Sequence, residues 1–141
     1  MRIIVAEDHS EICRMLSDFL KRQGHTVTSA ADGEEAVGFA EKSPFDVLIT
    51  DIFMPKKDGI QTIAEFRTRF PNTKIIAMSG GGTISGEEGL RLAKRTGADM
   101  TLVKPFSMSE LAAALESLRT PPPPLGREIS DDPAESGGAP L

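Results

Sequence analysis

The chain has 141 residues, 39% hydrophobic and 26% charged, with a net charge of −5, which is enough apolar material for about one packed domain. No apolar run approaches the roughly 20 residues of a membrane-spanning helix. The N-terminus turns acidic after six residues, and no basic stripe offers a polyanion a footprint, so a secretory leader, a membrane anchor and direct nucleic-acid binding are not expected. The lone Cys13 has no partner for an internal disulfide, which fits a reducing compartment, and the predicted location is cytoplasmic.

In chain order, residues 2–7 (RIIVAE) form a short apolar run rich in β-branched residues and read as a strand. The next stretch places Ile12, Leu16, Phe19 and Leu20 on one helical face and stops at Gly24. Residues 25–30 alternate as a weaker strand. Asp32 and Gly33 then lead into a short helix stopped by Pro44. Residues 45–50 read as a buried strand. Ile60, Ile63, Ala64 and Phe66 recur at helical spacing up to Pro71. Residues 74–79 are a further strand, followed by three glycines at 80–82 and a helix ending at Gly97. Residues 99–104 are the fifth strand, and Ser107 or Ser109 is placed to cap a last helix.

Five strands alternating with five helices predict a doubly wound α/β domain over residues 1–119, with a mostly parallel sheet. Residues 120–141 differ. They hold six of the ten prolines, a net charge of −3 and only three large apolar side chains, so the expectation is a Pro-rich, acidic, disordered tail.

In open parallel sheets ligands sit beyond the carboxyl ends of the strands. The polar residues there are Glu7 and Asp8 after the first strand, Asp51 after the third, Ser79 after the fourth and Lys104 after the fifth. Three neighbouring carboxylates repel one another, and one lysine offsets only part of that. A hard divalent cation would supply the rest, and Mg²⁺ suits carboxylates, waters and a phosphoryl group. An aspartate in such a cluster is a candidate nucleophile toward phosphorus.

These residues carry a resemblance. VAED at 5–8, ITDIFMPKKDG at 49–59, AMSG at 77–80 and LVKPF at 102–106, in this order and one per strand end, resemble the receiver domain of two-component response regulators, the family that includes the chemotaxis regulator. The resemblance implies a flavodoxin-like five-stranded parallel sheet in the order 2-1-3-4-5. It implies Asp51 as phosphoacceptor, with Glu7, Asp8, Asp51 and the backbone carbonyl of Phe53 holding Mg²⁺. Ser79 is then the switch hydroxyl and Lys104 the phosphoryl-contacting lysine, ahead of a cis Lys104–Pro105 bond, while Pro55 and Gly59 match the turn after the phosphorylation strand.

The partners so implied are a sensor histidine kinase or histidine phosphotransfer protein and a downstream protein target, with no direct nucleic acid and no membrane. The expected role is a stand-alone response regulator of a phosphorelay. Its only chemistry would be Mg²⁺-dependent self-phosphorylation and autodephosphorylation at Asp51. The alternatives are a phosphoryl shuttle between kinases and phosphotransfer proteins, or a binding module that works unphosphorylated. The first helix is the surface expected to meet the phosphoryl donor. The fourth helix, fifth strand and fifth helix are the expected output face, with Arg91, Lys94 and Arg95 pointing away from Leu90 and Ala93.

One departure stands out. Thr101 replaces the aromatic residue that many receivers carry three positions before the lysine, so coupling is expected to run through Ser79 and a reordering loop at 80–86. Two rival readings are weaker. A hydrolase acting on an external substrate lacks a second acid two residues after Asp51, where Phe53 stands. A flavin or nucleotide carrier leaves the acidic cluster unexplained. Of the remaining residues, His9 reads as a solvated helix-start residue, His25 as exposed, Cys13 as a small apolar residue of the first helix, and the methionines as core filling.

Overall fold

Runs of aliphatic and β-branched residues form the strands of a five-stranded parallel sheet in a computed structural model of the chain, which describes residues 1–54, 56–79 and 86–119. The strands are β1 (Arg2–Ala6), β2 (Thr26–Ala30), β3 (Val47–Asp51), β4 (Lys74–Ser79) and β5 (Met100–Val103). They lie in the order β2-β1-β3-β4-β5, and every pairing is parallel. The connecting helices are α1 (Ser10–Arg22), α2 (Gly33–Lys42), α3 (Gly59–Arg69), α4 (Gly86–Thr96) and α5 (Met108–Arg119). The predicted fold class is the one observed. Among the described residues, no helix is long and apolar enough to cross a membrane.

Alternation along the strands splits the core into two layers. Ile4, Ala6, Leu48, Ile75 and Ala77 face Ala36, Val37, Ile63, Phe66 and Ala93 of α2, α3 and α4. Ile3, Val5, Val47, Ile49, Ile76 and Met78 face Cys13, Leu16 and Leu20 of α1 and Leu111, Ala114 and Leu115 of α5. Two helix ends close alike. Gly24 (φ +94°) donates to the Lys21 carbonyl at 3.0 Å, and His25 donates to Leu20 at 3.1 Å. Gly97 and Ala98 bond Lys94 and Ala93 in the same way. Both are Schellman closures, in which a glycine takes the left-handed position. At the other end of the chain, the Ser107 hydroxyl accepts from the Glu110 N–H and the Glu110 carboxylate accepts from the Ser107 N–H, a capping box for α5.

Several side-chain expectations are corrected. Ala64 is exposed, and Thr62 takes the buried position, because its hydroxyl is satisfied by the Asp58 carbonyl at 2.7 Å. His25 is half-buried, its Nδ1 3.1 Å from the Met1 amino group. Met15 is exposed on α1 and fills no core. The predicted tail at 120–141, the glycine-rich loop at 80–85 and Pro55 lie outside the described residues.

Candidate functional site

Parallel direction and register bring the strand-end residues together. Ala6 pairs with Thr50, Asp51 with Met78 and Ser79 with Val103, so Glu7, Asp51, Ser79 and Lys104 reach one edge of the sheet. The Lys104 ammonium sits between two carboxylates, 2.9 Å from Glu7 Oε1 and 3.4 Å from Asp51 Oδ2. Its backbone N–H donates to the Ser79 carbonyl at 2.8 Å, and the bond to Pro105 is cis.

The second oxygen of Glu7, Oε2, accepts from the His9 backbone N–H at 3.2 Å and lies 3.2 Å from His9 Nδ1. Asp8 follows on the solvent side, 3.6 Å from the same nitrogen. Asp51 Oδ1 accepts from the Ile52 N–H at 3.0 Å. The structure therefore joins Glu7, Asp51 and Lys104 directly, brings Asp8 in alongside Glu7 through His9, and sets Ser79 on the strand between Asp51 and Lys104.

The charges respond to this packing. Burial works to raise the Glu7 carboxyl. The Lys104 hydrogen bond, the His9 N–H and the lysine's charge outweigh it and hold the group below the ordinary value. Asp51 goes the other way: burial pushes its carboxyl up, the Glu7 charge adds to that, and Lys104 offsets only part. Burial also opposes the Lys104 ammonium, but its Glu7 hydrogen bond and the Asp51 charge hold it above the usual lysine value.

Three carboxylates around one ammonium leave two negative charges uncompensated. That donor set consists of hard oxygens, with Asp8 open to water, and it fits Mg²⁺. Ser79 Oγ is fully buried and has no hydrogen-bond partner among the described residues. An orphaned hydroxyl at the site edge is available to a ligand oxygen.

The backbone is tightly drawn under Asp51. The Gly59 N–H donates to the Ile52 carbonyl at 2.8 Å, folding the start of α3 back onto the end of β3. A Cβ at Gly59 would stand 2.1 Å from the Asp51 carbonyl oxygen, so only glycine fits this turn. Phe53 is a half-buried bend residue packed against the layer beneath α2 and α3. Thr101 lies on β5 opposite Ala77. Arg91, Lys94 and Arg95 are exposed on α4, whereas Ala93 is buried.

His9, read from the sequence as a solvated helix-start residue, is 69% exposed in its side chain, and its ring nitrogen also lies 3.2 Å from Glu7 and 3.6 Å from Asp8.

This fold, with acids, a hydroxyl and a lysine gathered at the strand ends, defines a flavodoxin-like α/β domain with an acidic site at one sheet edge, and comparison with known proteins gives the family. Residues 3–116 match the response regulator receiver domain, and the chain belongs to that family. It is 34% identical over 142 aligned positions to the transcriptional regulatory protein TcrA of Mycobacterium tuberculosis, covering 96% of this chain and 54% of that protein. The chain spans about half the length of the curated relatives it matches. Among solved structures, the chemotaxis protein CheY4 of Vibrio cholerae superposes with a TM-score of 0.74 at 32% identity, covering 83% of this chain and 97% of that one. The response regulator TrrA of Thermotoga maritima, in complex with Mg²⁺ and BeF, gives a TM-score of 0.73 at 29% identity, covering 83% of this chain and 97% of that one.

Proposed function

We propose that this domain accepts a phosphoryl group on Asp51 from a phosphohistidine of a sensor kinase or phosphotransfer protein, and that the acyl phosphate switches a protein-contact surface. The observation that carries the reading is the Asp51 carboxylate at the sheet edge, with Lys104 Nζ 3.4 Å from Oδ2 and Glu7 held to the same lysine. In the transfer, an Asp51 oxygen attacks phosphorus. A P–O bond forms, the P–N bond to the donor imidazole breaks, and the imidazole leaves with its electron pair and takes up a proton.

Each residue has a separate task. Lys104 is placed to neutralise a phosphoryl oxygen, moving from its contact with Asp51 while Glu7 keeps it charged. Ser79 has a hydroxyl, without a partner among the described residues, to donate to another oxygen. Glu7, Asp8, Asp51 and the Phe53 carbonyl would hold Mg²⁺, which when bound neutralises charge building on the transferring group. The Mg²⁺ and BeF carried by the TrrA relative support this assignment. Phe53 offers no side-chain acid or amide to orient an attacking water, which favours a long-lived acyl phosphate and argues against hydrolysis of an external substrate.

Phosphorylation adds close to two negative charges at a buried site and shifts an equilibrium between conformers. The output runs to a protein target through the face made by α4, β5 and α5, where exposed Val103 and Leu92 accompany the cations of α4. The transcriptional role in the TcrA name belongs to a protein about twice this length and is not carried over.

The test is intact mass after incubation with Mg²⁺ and acetyl phosphate. One added phosphoryl group on the wild type and none on Asp51→Asn supports the reading. An adduct on both proteins refutes it. If no adduct forms, a titration with beryllofluoride decides: saturable, Asp51-dependent binding keeps the phosphoacceptor site, and no binding removes it.

A further inference from the structure

We propose that Gly89 of α4 sets the balance of the switch: its bare backbone leaves the space in which the Ser79 hydroxyl rests before phosphorylation, and α4 registers the hydroxyl's departure. The proposal rests on the phosphoacceptor reading and names a residue that reading does not use. Strand periodicity puts Ser79 on the same face of β4 as Ile75 and Ala77, the face against which α4 packs Ala93. One turn before Ala93, Gly89 is buried on the same side of the helix. A Cβ at Gly89 would stand 3.2 Å from Ser79 Oγ and 3.4 Å from Ile52 Cδ1.

Both neighbours belong to the site. Ser79 is fully buried, and among the described residues no hydrogen bond holds its hydroxyl in place. Ile52 directly follows Asp51, and its N–H donates to Asp51 Oδ1 at 3.0 Å. Through one residue without a side chain, α4 therefore lies against the hydroxyl and against the residue next to the acceptor. Thr101, on β5 opposite Ala77, is too short to fill the space the hydroxyl would leave.

Sterics fix the sign. A methyl at position 89 crowds the resting hydroxyl, while its other neighbour is the far end of a flexible isoleucine that can give. Turning Oγ toward a phosphoryl oxygen on Asp51 relieves the crowding and opens a gap, which the methyl fills. Alanine at this position therefore favours the phosphorylated arrangement. Glycine, although a poor helix former, favours the resting one. Gly89 is a positioning residue that acts through Ser79.

The test is beryllofluoride binding to the full chain in Mg²⁺, followed by fluorine NMR, for wild type, Gly89→Ala, Ser79→Ala, the double variant and Gly38→Ala. Residues in contact couple by about twofold or more in an equilibrium constant, so Gly89→Ala should bind at least about twofold tighter than wild type. The same substitution made in Ser79→Ala should leave that variant's affinity unchanged. Gly38→Ala, with nothing within 4 Å of its added Cβ, controls for general helix stabilisation and should match wild type. Thermal unfolding by circular dichroism checks the folding of each variant and reads the same coupling without ligand: Gly89→Ala should raise Tm more in the Ser79→Ala background than in wild type. Equal or weaker binding by Gly89→Ala, beside a wild type that binds, overturns this proposal and leaves the phosphoacceptor reading standing. Equal effects of Gly89→Ala in both backgrounds overturn it as well, since a helix effect independent of Ser79 would suffice. No binding by the wild type removes the phosphoacceptor reading and the proposal with it.

Discussion

Replacing Gly59 by alanine tests how rigidly β3 is tied to the helix that follows it. The added Cβ would lie 2.1 Å from the Asp51 carbonyl oxygen, 2.6 Å from Ile52 Cα and 2.9 Å from the Asp51 carbonyl carbon. All three are backbone atoms, so no side chain can swing aside. Overpacking typically costs about 1–3 kcal/mol, and a clash with fixed backbone belongs at the upper end. Opening the turn to make room also breaks the 2.8 Å Gly59–Ile52 hydrogen bond, worth about 1 kcal/mol. Together these lower stability by roughly 3–4 kcal/mol, which for a domain of this size moves Tm down by on the order of 10 °C. Gly38 is the control. It lies within α2 with nothing within 4 Å of an added Cβ, so Gly38→Ala should raise stability by about 0.5–1 kcal/mol. Thermal unfolding by circular dichroism measures both. A Gly59→Ala protein melting within about 2 °C of wild type would refute the argument, because the turn would then yield without cost.

Three further outcomes follow from the site. Asp51 is a carboxyl whose folded-state value is raised, so ionising it costs stability. That cost sets in as pH rises from the unfolded value through the folded one, persists above it and is absent at lower pH. In chelator-treated protein, Asp51→Asn should therefore melt higher than wild type at pH about 7, with the gap closing as pH falls; a gap that is independent of pH would contradict this. Lys104→Met leaves the buried Glu7 and Asp51 without their cation and should cost about 2–3 kcal/mol by urea unfolding, below the range of about 3–5 for a fully buried pair because the ammonium is partly exposed. An unchanged urea midpoint would show that the lysine carries no structural load. Ser79→Ala removes a buried hydroxyl with no hydrogen-bond partner among the described residues, so it should stabilise the unphosphorylated domain by about 1 kcal/mol while slowing phosphoryl uptake from acetyl phosphate; a loss of stability would reveal a partner for the hydroxyl.

Much of the fold is legible because its signals are local. The apolar runs at β1, β3 and β4 mark strands buried on both faces, and the glycines at 24 and 97 mark helix ends that take the Schellman form. The candidate site residues were equally readable, since each ends or follows a strand and parallel strands all end on one edge. Burial within helices was less so. Nothing in the spacing of Ile60, Ile63 and Phe66 decides whether Ala64 or Thr62 faces the core; that depends on the Asp58 carbonyl being there to take the threonine's hydrogen bond.

The sequence by itself determined the alternation of strands and helices, the apolar faces, and the identity of the acids, hydroxyl and lysine at the strand ends. Only the tertiary structure decided how those groups divide their partners: Lys104 closest to Glu7, 97 residues away, Asp51 left with the weaker half of the lysine, and His9 turned back onto the acidic pair. The reason is that periodicity records which side of an element is buried, a property of a few neighbouring residues. Distances between strand ends depend on sheet order, register and twist, which form when residues far apart in the chain pair. An ångström there decides whether a carboxylate is neutralised or left wanting a cation.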